Sequence, residues 1–198
     1  MGKGKLHMTI QEKLKKFGWI TIFSSVIFIV IYLYCSGYPN EPIGLLKLTG
    51  ALSIFSTIVF YLVNNHLWKM KWITPFFGSI PDVNGKWSAV IINKADGKEQ
   101  KADIKITQTW LNIHVVTKVE RGNSSTVSSE IVKINETWRL YFVWNASFDG
   151  VVFDGTTIVS IFDDELDGHY FTNSNIDCKN CTSGSFKATK IEAIINEQ

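Results

Sequence analysis

The stretch Lys101-Ala-Asp-Ile-Lys-Ile-Thr-Gln-Thr-Trp110 decides the fold. Ala102, Ile104, Ile106, Gln108 and Trp110 fall on one face of an extended chain, and Lys101, Asp103, Lys105, Thr107 and Thr109 fall on the other. That period of two is the signature of a half-buried strand. Upstream, Trp87 to Ile92 alternates in the same way, and Lys94 to Gly97 supplies an Asp-Gly turn between the two strands. Downstream, further strands are predicted over Asn112 to Glu120, Ser125 to Ile134, Thr137 to Asn145, Phe153 to Phe162, Leu166 to Thr172 and Ser183 to Ile191. Turns fall at Arg121-Gly122-Asn123, Asn135-Glu136, Phe148-Asp149-Gly150, Asp163-Asp164-Glu165 and Asn175 to Asn180. Eight short strands joined by hairpin turns specify an up-and-down antiparallel β-barrel or a sandwich. Closure into a compact eight-stranded barrel is favoured because it leaves no exposed edge, and such a barrel has room inside for side chains or one small ligand.

The N-terminal third is built on a different pattern. Phe17 to Tyr34 carries no charge over 18 residues, about 27 Å of helix, which is close to the hydrocarbon thickness of a bilayer. Ile43 to Val63 is a second apolar run, whose Lys47 sits near its start, where a long side chain snorkels to the interface. Two transmembrane helices are therefore expected, at about residues 17–35 and 43–63. A signal peptide is the competing reading of the first run, but the run is longer than a usual signal core and a second follows within ten residues. The expected domains are residues 1–72, a basic segment with two transmembrane helices, and residues 73–198, a cytoplasmic ligand-binding β-barrel. Thr74 to Gly85, with Pro75, Gly78 and Pro81, links them.

Charge divides along the same line: +6 over residues 1–80 and −4 over residues 81–198. An acidic soluble part argues against polymeric nucleic acid as a partner, since phosphate backbones demand a basic footprint. Lys3, Lys5, Lys13, Lys15 and Lys16 precede the first run, and Lys69 and Lys71 follow the second. The connection from Cys35 to Pro42 has no lysine, so the positive-inside rule puts both termini in the cytoplasm. The sequons at Asn123, Asn135, Asn145 and Asn180 are then turn and strand residues rather than glycosylation sites.

Catalytic and metal constellations are not assembled. Cys178-Lys-Asn-Cys181 has no second ligand pair to complete a zinc site, and Asp163-Asp164-Glu165-Leu166-Asp167 lacks the calcium-loop spacing. His114 and His169 stand in different strands, and no nucleophile elbow or phosphate-cradling loop is present. A binding protein without cofactor or metal is expected rather than an enzyme. The β domain is instead rich in rings: Trp87, Trp110, Trp138, Trp144, Tyr141, Phe142, Tyr170 and Phe171, with Arg121 and Arg139, the only two arginines of the chain. Rings stack on bases, and a planar guanidinium forks onto phosphate oxygens. Trp138, Leu140, Phe142 and Trp144 share one strand face and suit a core, while Arg139, Tyr141 and Asn145 share the opposite one; which face looks inward is left open. A candidate nucleotide site is accordingly drawn from Trp87, Gln108, Trp110, Arg121, Arg139, Tyr141, Tyr170, Thr172 and Asn173.

Ile80-Pro-Asp-Val-Asn-Gly-Lys-Trp87, Ile106-Thr-Gln-Thr-Trp110, Trp138-Arg-Leu-Tyr-Phe-Val-Trp-Asn145, Asp154-Gly-Thr156 and Leu166-Asp-Gly-His-Tyr-Phe-Thr-Asn173, taken in this order behind two apolar runs, carry a family likeness. The chain resembles the SMODS-associated two-transmembrane, β-strand-rich effectors of CBASS, the bacterial cyclic-oligonucleotide anti-phage systems. The resemblance implies a minimal eight-stranded barrel that binds a cyclic dinucleotide made by an infection-sensing cyclase. It further implies homo-oligomerisation on binding, disruption of the bacterial inner membrane by the clustered helices, and abortive infection. The Cys-x-x-Cys insert between Asn173 and Ser185 departs from the family pattern. The alternative from another class is a membrane-tethered small-barrel carrier of a lipid or other hydrophobic ligand.

Overall fold

The computed structural model describes residues 10–37, 42–72, 79–148, 150–173 and 182–191. The Cys178–Cys181 motif, the sequon at Asn180, the Asn175 to Asn180 turn and residues 74–78 of the Thr74 to Gly85 linker lie outside the described residues.

Two units are present. The first is a closed barrel of eight antiparallel strands in sequence order, β1 Gly85–Asn93, β2 Glu99–Gln108, β3 Ile113–Val119, β4 Gly122–Ile134, β5 Thr137–Phe148, β6 Val151–Phe162, β7 Glu165–Asn173 and β8 Ser183–Lys190. β1 pairs with β8 as well as β2, with Ala89 opposite both Ala188 and Ala102. Closure leaves no edge strand, which settles the choice between barrel and sandwich. Strand alternation runs as the sequence predicts: Ala102, Ile104, Ile106 and Gln108 are buried, while Lys101, Asp103, Lys105 and Thr107 are exposed. Asn135 and Glu136 both take positive φ, 46° and 66°, as a two-residue hairpin turn matching the strand twist requires. A bulge between Thr126 and Ser128 interrupts the β4–β5 register.

One half of the barrel is solid. Trp87, Ile104, Ile106, Leu140, Val159 and Leu166 are at most 2% exposed and fill it. At the end where the chain enters, Val83 joins this core, accepting the Trp87 indole N–H on its carbonyl at 3.0 Å. Gln108 fastens the same segment: its Oε1 accepts the Val83 N–H at 2.7 Å and its Nε2 donates to the Pro81 carbonyl at 3.0 Å.

The second unit contains α1, Ile10–Ser36, and α2, Pro42–Asn65. Both are long and apolar enough to cross a membrane. They pack through Phe28 stacked on Phe55 at 4.7 Å, Phe17 edge-on to Phe60 at 4.9 Å, and a Ser25–Ser56 hydroxyl contact at 3.5 Å. Phe23, Val30, Leu46 and Ile54 are exposed, as lipid-facing side chains of spanning helices would be. Ser24, Thr49, Ser53 and Thr57 donate to carbonyls of their own helix, so these hydroxyls are satisfied without water.

Candidate functional site

The other half of the barrel is hollow. A cavity of about 450 Å³ opens at the end formed by the β1–β2, β3–β4 and β5–β6 turns, opposite the end where the chain enters. The volume lies within the usual range for small-molecule sites. Inward positions that carry Leu, Ile or Trp in the solid half carry small or polar residues here: Thr117, Ser124, Gly155, Thr157, Thr172 and Gly184.

Aromatic rings supply most of the apolar wall, from Phe142, Trp144, Phe148, Phe153, Tyr170 and Phe186. Trp144 is held on two sides: its indole N–H donates to Thr157 Oγ1 at 2.9 Å, and Phe153 meets it edge-on at 5.9 Å. Thr157 is buried, and since its oxygen accepts from Trp144, its own proton is left to donate. Thr172 and Thr182 are tied together at 2.7 Å between hydroxyls, with the Thr172 N–H donating to the Thr182 carbonyl at 2.8 Å. Asn93, Gln100 and Asn123 add amides around the rim. None of the described lining residues is charged. Burial, and secondarily the negative charge of Asp96, push the Tyr170 phenol above its ordinary 10.0, so it remains a neutral donor at physiological pH. Rings for stacking and neutral donors for oxygens are what a nucleotide-like ligand asks of a compact pocket.

Of the nine sequence-predicted site residues, Tyr170 and Thr172 line this cavity. Arg121 is exposed in the β3–β4 turn, next to the lining residues Val119 and Asn123. Asn173 ends β7 opposite Asp154. Trp87 and Gln108 occupy the solid end, where they hold the entering chain. Trp110 is buried in Thr109–Leu111, a segment that groups with the helical unit, and its N–H donates to the Asn64 carbonyl at 2.9 Å. Arg139 and Tyr141 stand on the outer face of β5, their neighbours Leu140 and Phe142 pointing in. The candidate site read from the sequence leaves out Phe142 and Trp144, which read there as suiting a core, and does not include Thr117 or Thr157. A signal for the last two existed in the polar residues at inward positions near one set of hairpin ends, but only strand register shows that these ends meet.

A family model described as Cap15, cyclic dinucleotide receptor domain, matches residues 78–190, which contain the whole barrel and its cavity. The chain belongs to the Cap15 cyclic dinucleotide receptor family. A curated relative, CD-NTase-associated protein 15 of Staphylococcus schleiferi, is 22% identical over 190 residues, covering 92% of this chain and 98% of that protein. The match therefore runs through the helices as well as the Cap15 barrel, and it bears out the resemblance to two-transmembrane CBASS effectors read from the sequence.

Proposed function

We propose that this chain is the membrane effector of a CBASS system, with the barrel cavity as its cyclic dinucleotide site. The observation that carries the reading is the cavity itself: one end of a receptor-family barrel is left hollow, and that end is lined by rings and neutral donors. Tyr170, Thr172, Thr157 and Thr117 offer hydroxyls, Trp144 and Phe142 offer rings, and Arg121 lies in a turn at the same end, where β7 finishes at Asn173, to meet phosphate oxygens. Ligand binding promotes self-association, which requires the ligand to bind the assembled form more tightly than the single chain. The assembled helices then disrupt the bacterial inner membrane. Lysines flanking both helices and absent from residues 36–46 support cytoplasmic termini, which would place the cavity where a soluble cyclase delivers its product.

The test is titration calorimetry of the full chain in lipid nanodiscs against cyclic dinucleotides of differing bases, with dye leakage from chain-bearing vesicles as a second readout. Saturable binding of one cyclic dinucleotide, followed by leakage that depends on it, is expected. Binding of a fatty acid and of no cyclic dinucleotide would replace this reading with that of a hydrophobe carrier.

A further inference from the structure

Two rings of the cavity share one construction. Trp144 of β5 stands directly opposite Gly155 of β6, and Tyr170 of β7 stands directly opposite Gly184 of β8. A Cβ placed on Gly155 would lie 2.2, 2.4 and 2.6 Å from Cζ2, Cη2 and Cε2 of Trp144. A Cβ on Gly184 would lie 2.4 and 2.8 Å from Cε1 and Cζ of Tyr170, and 2.0 Å from the Ile92 carbonyl oxygen. Each ring thus occupies the space where the neighbouring strand's side chain would stand. Neither glycine has a positive φ, so backbone conformation does not ask for glycine at either position. Glycine weakens a strand interior, and one reason for it there is a close approach, which is the Trp144 ring at Gly155 and the Tyr170 ring together with the Ile92 carbonyl at Gly184.

The consequence is geometric. A ring resting on a bare stretch of barrel wall lies closer to that wall than a side chain there would allow, and Trp144 and Tyr170 both line the cavity. Trp144 is pinned in that pose by Thr157, and Thr157 is itself the cross-strand partner of Tyr170. The two rings spring from strands separated by one strand, roughly 10 Å apart at the backbone. We propose that Trp144 and Tyr170 are paired stacking platforms, one for each base of a two-base ligand, and that Gly155 and Gly184 are the positioning residues that lay them flat. This rests on the reading of the cavity as the cyclic dinucleotide site and deepens it: the wall, more than any charge, recognises the ligand.

Gly155→Ala is the discriminating variant, because the three atoms nearest its new methyl group all belong to the Trp144 ring. The full chain in nanodiscs is titrated with cyclic di-AMP, cyclic di-UMP and the mixed cyclic UMP–AMP while tryptophan fluorescence is followed. In the native chain the best binder is expected to quench tryptophan emission on saturation. Gly155→Ala is expected to lose about tenfold or more in affinity together with most of that quenching. Adding Trp144→Phe to Gly155→Ala, which makes room for the methyl group, is expected to restore part of the affinity. Should Gly155→Ala fail to fold, Trp144→Leu removes the platform while keeping the glycine and is expected to lose affinity to a similar degree. Native-like affinity and quenching in Gly155→Ala, or native-like affinity in Trp144→Leu, would overturn the platform proposal while leaving the cavity reading intact. No binding by the native chain of these three or of the guanine-containing cyclic dinucleotides would overturn both.

Discussion

The two ends of the barrel are made from the same eight strands with the same in–out alternation, yet one is solid and the other hollow. At the solid end, inward positions carry Trp87, Ile106, Leu140 and Leu166, and the entering segment is fastened by three hydrogen bonds through the side chains of Gln108 and Trp87. At the hollow end the equivalent positions carry Thr117, Ser124, Gly155, Thr157, Thr172 and Gly184, and two of the lining rings, Trp144 and Tyr170, lean on glycine. Binary patterning therefore sets the barrel, whereas the size gradient of inward residues along each strand sets which half is core and which half is site. A core of this kind contributes stability through buried area, and a site of this kind forgoes some of it to keep space open.

The largest expected effect breaks the solid end. Trp87 is fully buried, and Trp87→Ala is expected to destabilise the barrel by about 3–5 kcal/mol through lost contacts and the residual cavity. Thermal unfolding of the full chain checks this, and a loss below about 1 kcal/mol would mean that this end is not the core. Gln108→Ala comes next, at about 1–3 kcal/mol, because the Val83 N–H loses its acceptor inside the core. Both substitutions should leave the ligand affinity of the folded fraction close to native.

The arginines sharpen the comparison from the ligand's side. Arg121 lies in a turn at the hollow end, and Arg139 lies on the outer wall of the solid half, opposite Val132 and Ser160. Arg121→Ala is expected to weaken cyclic dinucleotide binding by about tenfold, roughly 1.4 kcal/mol, while Arg139→Ala leaves it unchanged. The reverse order in titration would place the ligand outside the lumen.

Much of this was legible in the sequence. The two apolar runs, the eight strands and the turns among the described residues follow from periodicity, and the Lys101 to Gln108 alternation is reproduced residue by residue in burial. The site was less legible, for a physical reason. A strand shows which residues share a face, but not at which height of a closed barrel each one sits. Trp87 and Trp144 are both inward-facing tryptophans, yet one seals the solid end and the other walls the cavity. The difference lies in their cross-strand partners: Trp87 is flanked by Ile104 and Lys190, Trp144 by Thr126 and Gly155. Partners of that kind are fixed by register around the whole barrel, which no single strand carries.

The smallest expected effect concerns Tyr170 at alkaline pH. Burial raises its phenol above the ordinary value of 10.0, and the Asp96 charge raises it further. Asp96 is itself held ionised, chiefly by the Lys98 backbone N–H at 3.2 Å and also by the Lys98 ammonium at 3.3 Å. A folded-state pKa above the unfolded one means that the folded chain holds the proton more tightly. The stability this lends is fully present below about pH 10 and is lost as pH rises through the folded value, because the phenolate would be formed in a part-buried site near a negative charge. Native protein should therefore show a small decline in stability above pH 10 that Tyr170→Phe lacks, read as the difference between their melting temperatures along an alkaline series. Asp96→Asn should reduce that decline, since it removes one of the two causes and leaves burial. Identical alkaline profiles for native protein and Tyr170→Phe would show that the phenol is as well solvated in the barrel as in the unfolded chain, and the hollow end would then be wetter and less preorganised than its ring-lined wall implies.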